Sequence, residues 1–176
     1  MASRGFIELL RLADLANARA TGRNDPNQED WLGIVFEVAG ERMVAPMGEI
    51  SEVLALPELT VMPLTKPWLL GVANVRGRLL PLTDLAQFLG VKSQERLKER
   101  KVLVMDKGEV FSGFLVDQVL GINRFTASNY IAEEREEGSP YAPYSHGKFA
   151  KDNDSLFVFM PSLLAQDVRY RNAAIE

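Results

Sequence analysis

The chain has 176 residues, 47% of them hydrophobic and 25% charged, with a formal net charge of -4 at pH 7. These values are typical of one globular domain, or of two small subdomains that share a core. The acidic balance disfavours a nucleic-acid-binding surface. Cysteine is absent and His146 is the single histidine, which leaves no thiolate metal site and little material for a histidine-based triad. We expect a cytoplasmic protein without a cofactor.

The N-terminal stretch is predicted to be an amphipathic helix followed by a linker, together residues 1–28. Apolar side chains recur at helical spacing over residues 4 to 20, while Arg11 and Asp14 lie off that face. This face either packs on the domain or binds a partner. No apolar run approaches the roughly 20 residues that span a bilayer, so we expect neither a secretory signal nor direct insertion into a membrane.

Residues 29–176 are predicted to form the main, β-rich domain. A charged connection near residues 92–101 is the expected boundary between two β-subdomains. The predicted strands are Trp31–Val38, Arg42–Pro46, Val72–Val75, Leu79–Leu82, Lys101–Met105, Val110–Val116, Gln118–Phe125 and Ser155–Met160. Met47 to Leu54 is predicted to be either a short helix or an irregular connection. Residues 126–154 are predicted to be a long loop. Short helices are expected at Leu85–Leu89, capped by Asp84, and at Pro161–Asp167.

The chain also resembles itself. The stretch from Ile34 to Leu54 and the stretch from Val102 to Leu120 each contain a strand, a Gly-Glu turn, a second strand and a Val-Leu pair. Two such units predict two similar β-subdomains. The alternative is that any two β-hairpins share this much.

Catalytic motifs are missing from the sequence. Neither a phosphate-binding glycine loop nor a nucleophile elbow nor an H-E-x-x-H motif occurs, so we expect no enzymatic activity. Two alternatives remain open. One is an enzyme that uses the loop at 126–154 as a lid, with Asp117, Glu133 or His146 as acid–base groups in a deep pocket. The other is an oligonucleotide- or ligand-binding barrel, which the acidic net charge disfavours.

Residues 49–90 combine features that a plain β-domain does not require. The glycine of Arg76-Gly77-Arg78 predicts a tight hairpin bend, with Asn74 on the strand that enters it. An arginine at a bend is ordinarily just solvated. Beside Asn74 and an apolar strand, it can instead orient the backbone of a partner with its fixed fork of donors.

The motifs of this segment resemble the signature of CheW-like domains. The resemblance rests on Glu49-Ile50-x-Glu52-Val53 followed by Gly71-Val72-x-Asn74-x-Arg76-Gly77-x-x-x-Pro81-x-x-Asp84-Leu85. Gly113-Phe-Leu-Val116-Asp117-x-Val119 is similar to the second half of the family's domain, and the resemblance covers about residues 31 to 165. It implies a mainly β fold of two intertwined five-stranded SH3-like β-barrels with a hydrophobic groove between them.

The resemblance also implies a function. CheW-like domains bridge the cytoplasmic hairpin tip of methyl-accepting chemoreceptors to the regulatory domain of a CheA-type histidine kinase. The residues expected to bind the receptor are Ile50, Glu52, Val53, Asn74, Arg76, Gly77, Val116 and Val119. The N-terminal helix, Trp68 and Ala45-Pro-Met47 resemble the branch that serves type IV pilus twitching motility. The alternative is a flagellar chemotaxis coupling protein of the same fold.

Overall fold

The computed structural model describes residues 30–174, so the predicted N-terminal helix lies outside the described residues. The strands are β1 Asp30–Val38, β2 Glu41–Pro46, β3 Glu52–Ala55, β4 Leu69–Val75, β5 Arg78–Asp84, β6 Lys101–Lys107, β7 Val110–Val116, β8 Gln118–Thr126, β9 Tyr130–Ile131, β10 Ser145–Lys151 and β11 Asp154–Phe159. The α-helices are α1 Leu85–Leu89, α2 Pro161–Gln166 and α3 Val168–Arg171, and 3-10 turns occur at Leu97–Glu99, Ala127–Asn129 and Ala142–Tyr144.

The strands form two sheets, one with the order β8-β1-β2-β11-β10-β9 and the other with the order β3-β6-β7-β5-β4. The first is called the six-stranded sheet below and the second the five-stranded sheet. The sixth strand of the first sheet is β9, which pairs with β10 through only two residues. The predicted mainly β fold of SH3-like barrels is confirmed.

The two sheets are intertwined by an exchange of strands. The hairpin β1–β2 lies in the six-stranded sheet, but the next strand, β3, pairs with β6 of the other sheet. The hairpin β6–β7 lies in the five-stranded sheet, and the following strand, β8, returns to pair with β1. Parallel pairs, β11 with β2 and β5 with β7, complete each sheet. The two sequence units therefore occupy equivalent places, each giving its third strand to the other sheet.

The chain passes between the two sheets at places other than the charged connection. The charged connection 92–101 links α1 to β6, and the elements on both sides of it belong to the five-stranded sheet. The chain instead passes between the sheets at residues 47–51 and at Asp117. The subdomain boundary at 92–101 stays a prediction.

The long loop predicted for 126–154 is partly wrong. It contains β9 and the seven-residue strand β10, which is paired on both sides. The prediction missed β10 because its sequence, SHGKFAK, lacks β-branched residues. Its register is fixed instead by Phe149, which is buried and lies 4.9 Å, centroid to centroid, from Trp31.

The main core lies between the sheets. Phe36 of β1 contacts Phe159 of β11 at 5.7 Å and Phe114 of β7 at 6.5 Å between ring centroids, so side chains of both sheets meet in one cluster. Helix α1 begins as predicted, because Asp84 accepts a hydrogen bond from the Gln87 amide at 3.3 Å. A shared core of this kind holds the two sheets as a single body.

Candidate functional site

The hairpin β4–β5 presents the predicted recognition arginine. Val75 pairs with Arg78, so the bend contains only Arg76 and Gly77, with φ values of +52° and +79°. These are the dihedrals of a two-residue hairpin turn that matches the right-handed twist of strands. The Gly77 amide donates to the Asn74 side-chain oxygen at 2.9 Å. Asn74 therefore holds the bend, and Arg76 points into solvent with 76% of its side chain exposed.

Arg76 is paired with Glu52 across the seam of the five-stranded sheet. The Arg76 Nη2 and Glu52 Oε2 atoms are 2.5 Å apart, although β3 and β4 lie at opposite ends of the strand order. The sheet is curled, because Thr60 and Val72 exchange two backbone hydrogen bonds of 2.9 Å and so join the chain after β3 to β4. The ion pair lies at the surface end of this closure.

An apolar surface adjoins the ion pair. Val53 is 40% exposed on β3, and Leu79 is 69% exposed on β5. Leu79 pairs directly with Asn74, so the two side chains project from the same face of the hairpin. The sequence prediction did not include Leu79. The alternation of β5, in which Leu80 and Leu82 are buried, is the signal that places Leu79 outward.

The remaining predicted residues lie deeper. Ile50 is 5% exposed and Val116 is completely buried, both within the cluster between the sheets. Val119 is partly buried and packs on that cluster. The structure thus divides the eight predicted residues into two groups. Glu52, Val53, Asn74, Arg76 and Gly77 form a surface called here the β3/β4 end, and Ile50, Val116 and Val119 form an apolar wall behind it.

A buried ionic network lies beside the apolar wall. The Arg100 guanidinium binds Asp84 at both oxygens, at 2.7 and 3.0 Å, and its Nε lies 3.2 Å from Asp117 Oδ1. Asp117 also accepts from the Ala39 amide at 2.8 Å and from the Ser93 hydroxyl at 2.5 Å. The network joins α1, the 92–101 connection and the β1–β2 turn. Asp117 directly follows Val116 of the wall in the chain, so the network and the wall are neighbours.

Burial and the arginine act in opposite directions on Asp84. Burial alone raises the pKa of this carboxyl, but the hydrogen bonds and the positive charge of Arg100, with the hydrogen bonds from Gln87, bring the pKa below its ordinary value. Asp84 is therefore ionised at neutral pH. Sequence reasoning identified Asp84 as a cap but missed Arg100, which stands in a run of exposed charged residues.

The groups of the alternative enzyme are engaged separately. Asp117 is bound in the buried network, whereas Glu133 pairs with Lys148 at 2.7 Å and is exposed. His146 lies on β10. Within residues 30–174 no group of three acidic, histidine or cysteine side chains is arranged to hold a metal ion. The same part of the chain has no helix that is long and apolar enough to cross a membrane.

Strand-exchanged barrels with a hairpin motif at one end define the class of this protein. Residues 32–168 match the family described as CheW-like domain, and the chain belongs to that family, which confirms the resemblance predicted from the motifs. The chain is 41% identical to Protein PilI of Pseudomonas aeruginosa over 147 residues, or 84% of this chain and 82% of that protein.

Other relatives match a smaller part of the chain. Chemotaxis protein CheW of Thermotoga maritima is 34% identical over 91 residues, which are 52% of this chain and 60% of that protein. The crystal structure of the scaffolding protein TtCheW from Thermoanaerobacter tengcongensis superimposes with a TM-score of 0.66 at 19% identity. The match covers 73% of this chain and 88% of that chain, and it shows the same fold.

Proposed function

We propose that this chain is a non-catalytic adaptor that couples the hairpin tip of methyl-accepting chemoreceptors to the regulatory domain of a CheA-type histidine kinase, in a system that controls type IV pilus twitching motility. Membership of the CheW-like family supports the adaptor role. The similarity to PilI over most of both chains supports the pilus branch. The protein would work in the cytoplasm and reach membrane receptor arrays through its partners.

The observation that carries the proposal is the composition of the β3/β4 end. Val53 follows Glu52 on β3 and Leu79 lies opposite Asn74 on β5, and both offer exposed apolar side chains, while the two-residue turn holds Arg76 outward. Interfaces combine apolar anchors with polar groups that set the register. Glu52 engages one guanidinium nitrogen of Arg76, so the other donors remain to bind backbone carbonyls or a carboxylate of a receptor helix.

The apolar wall has an indirect part in this proposal. Ile50 and Val116 are buried, so they pack inside the protein rather than enter the partner. Val119 is the member of the wall that a receptor side chain reaches, because it is only partly buried. The flagellar alternative has its own support in the similarity to CheW of Thermotoga maritima. Binding to receptor fragments from each system decides between them.

Arg76→Ala tests the receptor surface. We expect binding to a receptor hairpin fragment to weaken by about 1.5–3 kcal/mol, the usual contribution of hydrogen bonds from a charged group. The thermal midpoint of unfolding should hardly change, because the side chain is 76% exposed and exposed ion pairs contribute little. Calorimetric titration measures the first quantity and circular dichroism the second.

The matched control is Arg42→Ala. Arg42 is also an exposed arginine paired with a glutamate, Glu37, at 3.4 Å, but it lies on β2 of the other sheet. This variant should bind the fragment as the unchanged chain does. Equal losses in both variants would indicate general electrostatic attraction. Unchanged binding by Arg76→Ala would remove the β3/β4 end from the interface, and titration with the kinase regulatory domain would then test the adaptor role by itself.

Leu79→Glu tests the residue that the sequence prediction missed. Loss of a contact by this apolar side chain should weaken receptor binding by about 1–2 kcal/mol, while stability stays the same because Leu79 is 69% exposed. Leu97→Glu is the control, since Leu97 is 47% exposed on a 3-10 turn away from the hairpin. A binding loss confined to the control would refute the assignment of Leu79.

A further inference from the structure

The last described segment of the chain crosses the five-stranded sheet as a strap, defined here as residues 168–174. It begins with α3, directly after Asp167. It then reaches the connection that precedes β4, where the Lys66 amide donates to the Ala173 carbonyl at 2.7 Å and Thr65 forms an antiparallel bridge with Ala174. The strap is thus bound at both of its ends.

One side chain of the strap enters the body of the protein. The Tyr170 ring stacks on Trp68, with 6.1 Å between centroids and 6° between planes, and meets Phe88 edge-on at 5.5 Å. Its hydroxyl lies 2.5 Å from the Ser112 hydroxyl. Trp68, Phe88 and Ser112 are called the aromatic socket. Two ring contacts and a hydroxyl partner form a site that is specific for tyrosine.

Besides Tyr170, the strap is attached through Arg169, which donates to the Tyr144 hydroxyl at 2.8 Å and lies over the Phe88 ring, while its other side chains have few contacts. Helix α3 has four residues, none of them buried, and so short a helix is not stable by itself. Val168 is 78% exposed, and Arg171 and Asn172 are exposed as well. Segments with few buried contacts open locally at a free energy well below that of global unfolding.

The socket and the ring that fills it belong to different parts of the chain. The family match covers residues 32–168, which include Trp68, Phe88 and Ser112 but not Tyr170. Asp167, which directly precedes the strap, is held on the body because it accepts a hydrogen bond from the Tyr144 hydroxyl. The arrangement is that of a binding site with a tethered ligand.

We propose that the aromatic socket is a peptide-binding site for a tyrosine-anchored segment, filled in the resting molecule by the strap of the same chain. The ligand it takes from outside is the strap of a second copy, because the strap supplies every group that the socket engages. The tyrosine ring packs against both Trp68 and Phe88, which also contact each other at 5.1 Å between centroids, and the residues after it pair with Thr65.

The test uses the full chain with Tyr170→Ala, which empties the socket, and a fluorescein-labelled peptide with the sequence of residues 167–174. We expect fluorescence anisotropy to show binding to this variant, and at least about tenfold weaker binding to the unchanged chain, whose tethered strap competes at an effective concentration near 1 mM. A peptide with alanine in place of the tyrosine should not bind. The Val168→Ala chain, which keeps the socket filled, should behave as the unchanged chain.

Two results would overturn the proposal. One is an absence of peptide binding to the folded Tyr170→Ala chain up to about 1 mM, the range in which a tether acts. The other is equal binding to the variant and to the unchanged chain, which would put the peptide elsewhere on the surface.

Hydrogen exchange of the unchanged chain decides the matter if Tyr170→Ala does not fold. The amides of Lys66, Arg171 and Asn172 are hydrogen-bonded through the strap. They should exchange at one common rate, faster than the amides of β6 and β7. If these three amides exchanged only through global unfolding, the strap would not open on its own. That result would refute the proposal.

Discussion

Replacing Gly71 with alanine is expected to lower the free energy of unfolding by about 2–4 kcal/mol, within the range seen when a buried backbone position is strained. A Cβ atom at this position would lie 2.4 Å from the Thr60 carbonyl oxygen and 3.0 Å from its carbonyl carbon. The φ of Gly71 is +149°, a region that L residues rarely adopt. Both obstacles are backbone atoms, so no side-chain rotation relieves them.

The cost arises at the closure of the five-stranded sheet. Thr60 and Val72 hold the chain after β3 against β4 through two hydrogen bonds of 2.9 Å. An added methyl group at Gly71 must push this pair apart, and the Arg76–Glu52 ion pair spans the same seam. Chemical denaturation should show the loss of stability, and receptor binding should weaken with it.

Gly77→Ala is the matched control for Gly71→Ala. Gly77 has a φ of +79°, but no atom lies within 4 Å of the position of an added Cβ. Its replacement should cost only about 1–2 kcal/mol, from the left-handed backbone alone. If the two variants lost the same stability, backbone conformation and not the contact with Thr60 would explain both.

Local chemistry explains which parts of the fold could be predicted. The bend at Arg76-Gly77 and the cap at Asp84 depend on neighbouring residues, and both predictions are confirmed. For β3 the sequence predicts either a helix or an irregular connection, because the four residues of this strand are ordered by pairing with β6, about 50 positions away. Pairing over that distance leaves little trace in a short window of sequence.

The site residues likewise divide into those that the sequence predicts and those that it does not. Arg76 and Glu52 were predicted from a motif, and the structure brings them together. Their part in receptor binding stays a prediction. Arg100 and Tyr170 were missed because their environments come from distant segments. Arg100 is buried against Asp84, which precedes α1, and Asp117, which precedes β8, and Tyr170 is partly buried against Trp68 and Phe88. Neither contact has a spacing that sequence inspection can recognise.

Arg100→Met is the second large effect that we expect, a loss of about 3–5 kcal/mol at neutral pH. The substitution keeps an apolar stem but leaves the carboxylates of Asp84 and Asp117 buried without their cation. Arg42→Met is the control. It removes an arginine whose side chain is 57% exposed, and should change stability by less than about 1 kcal/mol.

The pH dependence identifies the cause of the loss. In the unchanged chain the lowered pKa of Asp84 contributes stability above about pH 4, and this is lost as the pH falls through the folded-state pKa. Without Arg100, burial dominates and the pKa of Asp84 rises above its ordinary value, so the variant binds protons on folding and regains stability as the pH falls. The difference in the free energy of unfolding between the two chains should therefore be largest near pH 7 and become smaller toward about pH 4. A constant difference would instead assign the loss to packing of the arginine stem, and the network would then make no electrostatic contribution to the stability of the fold.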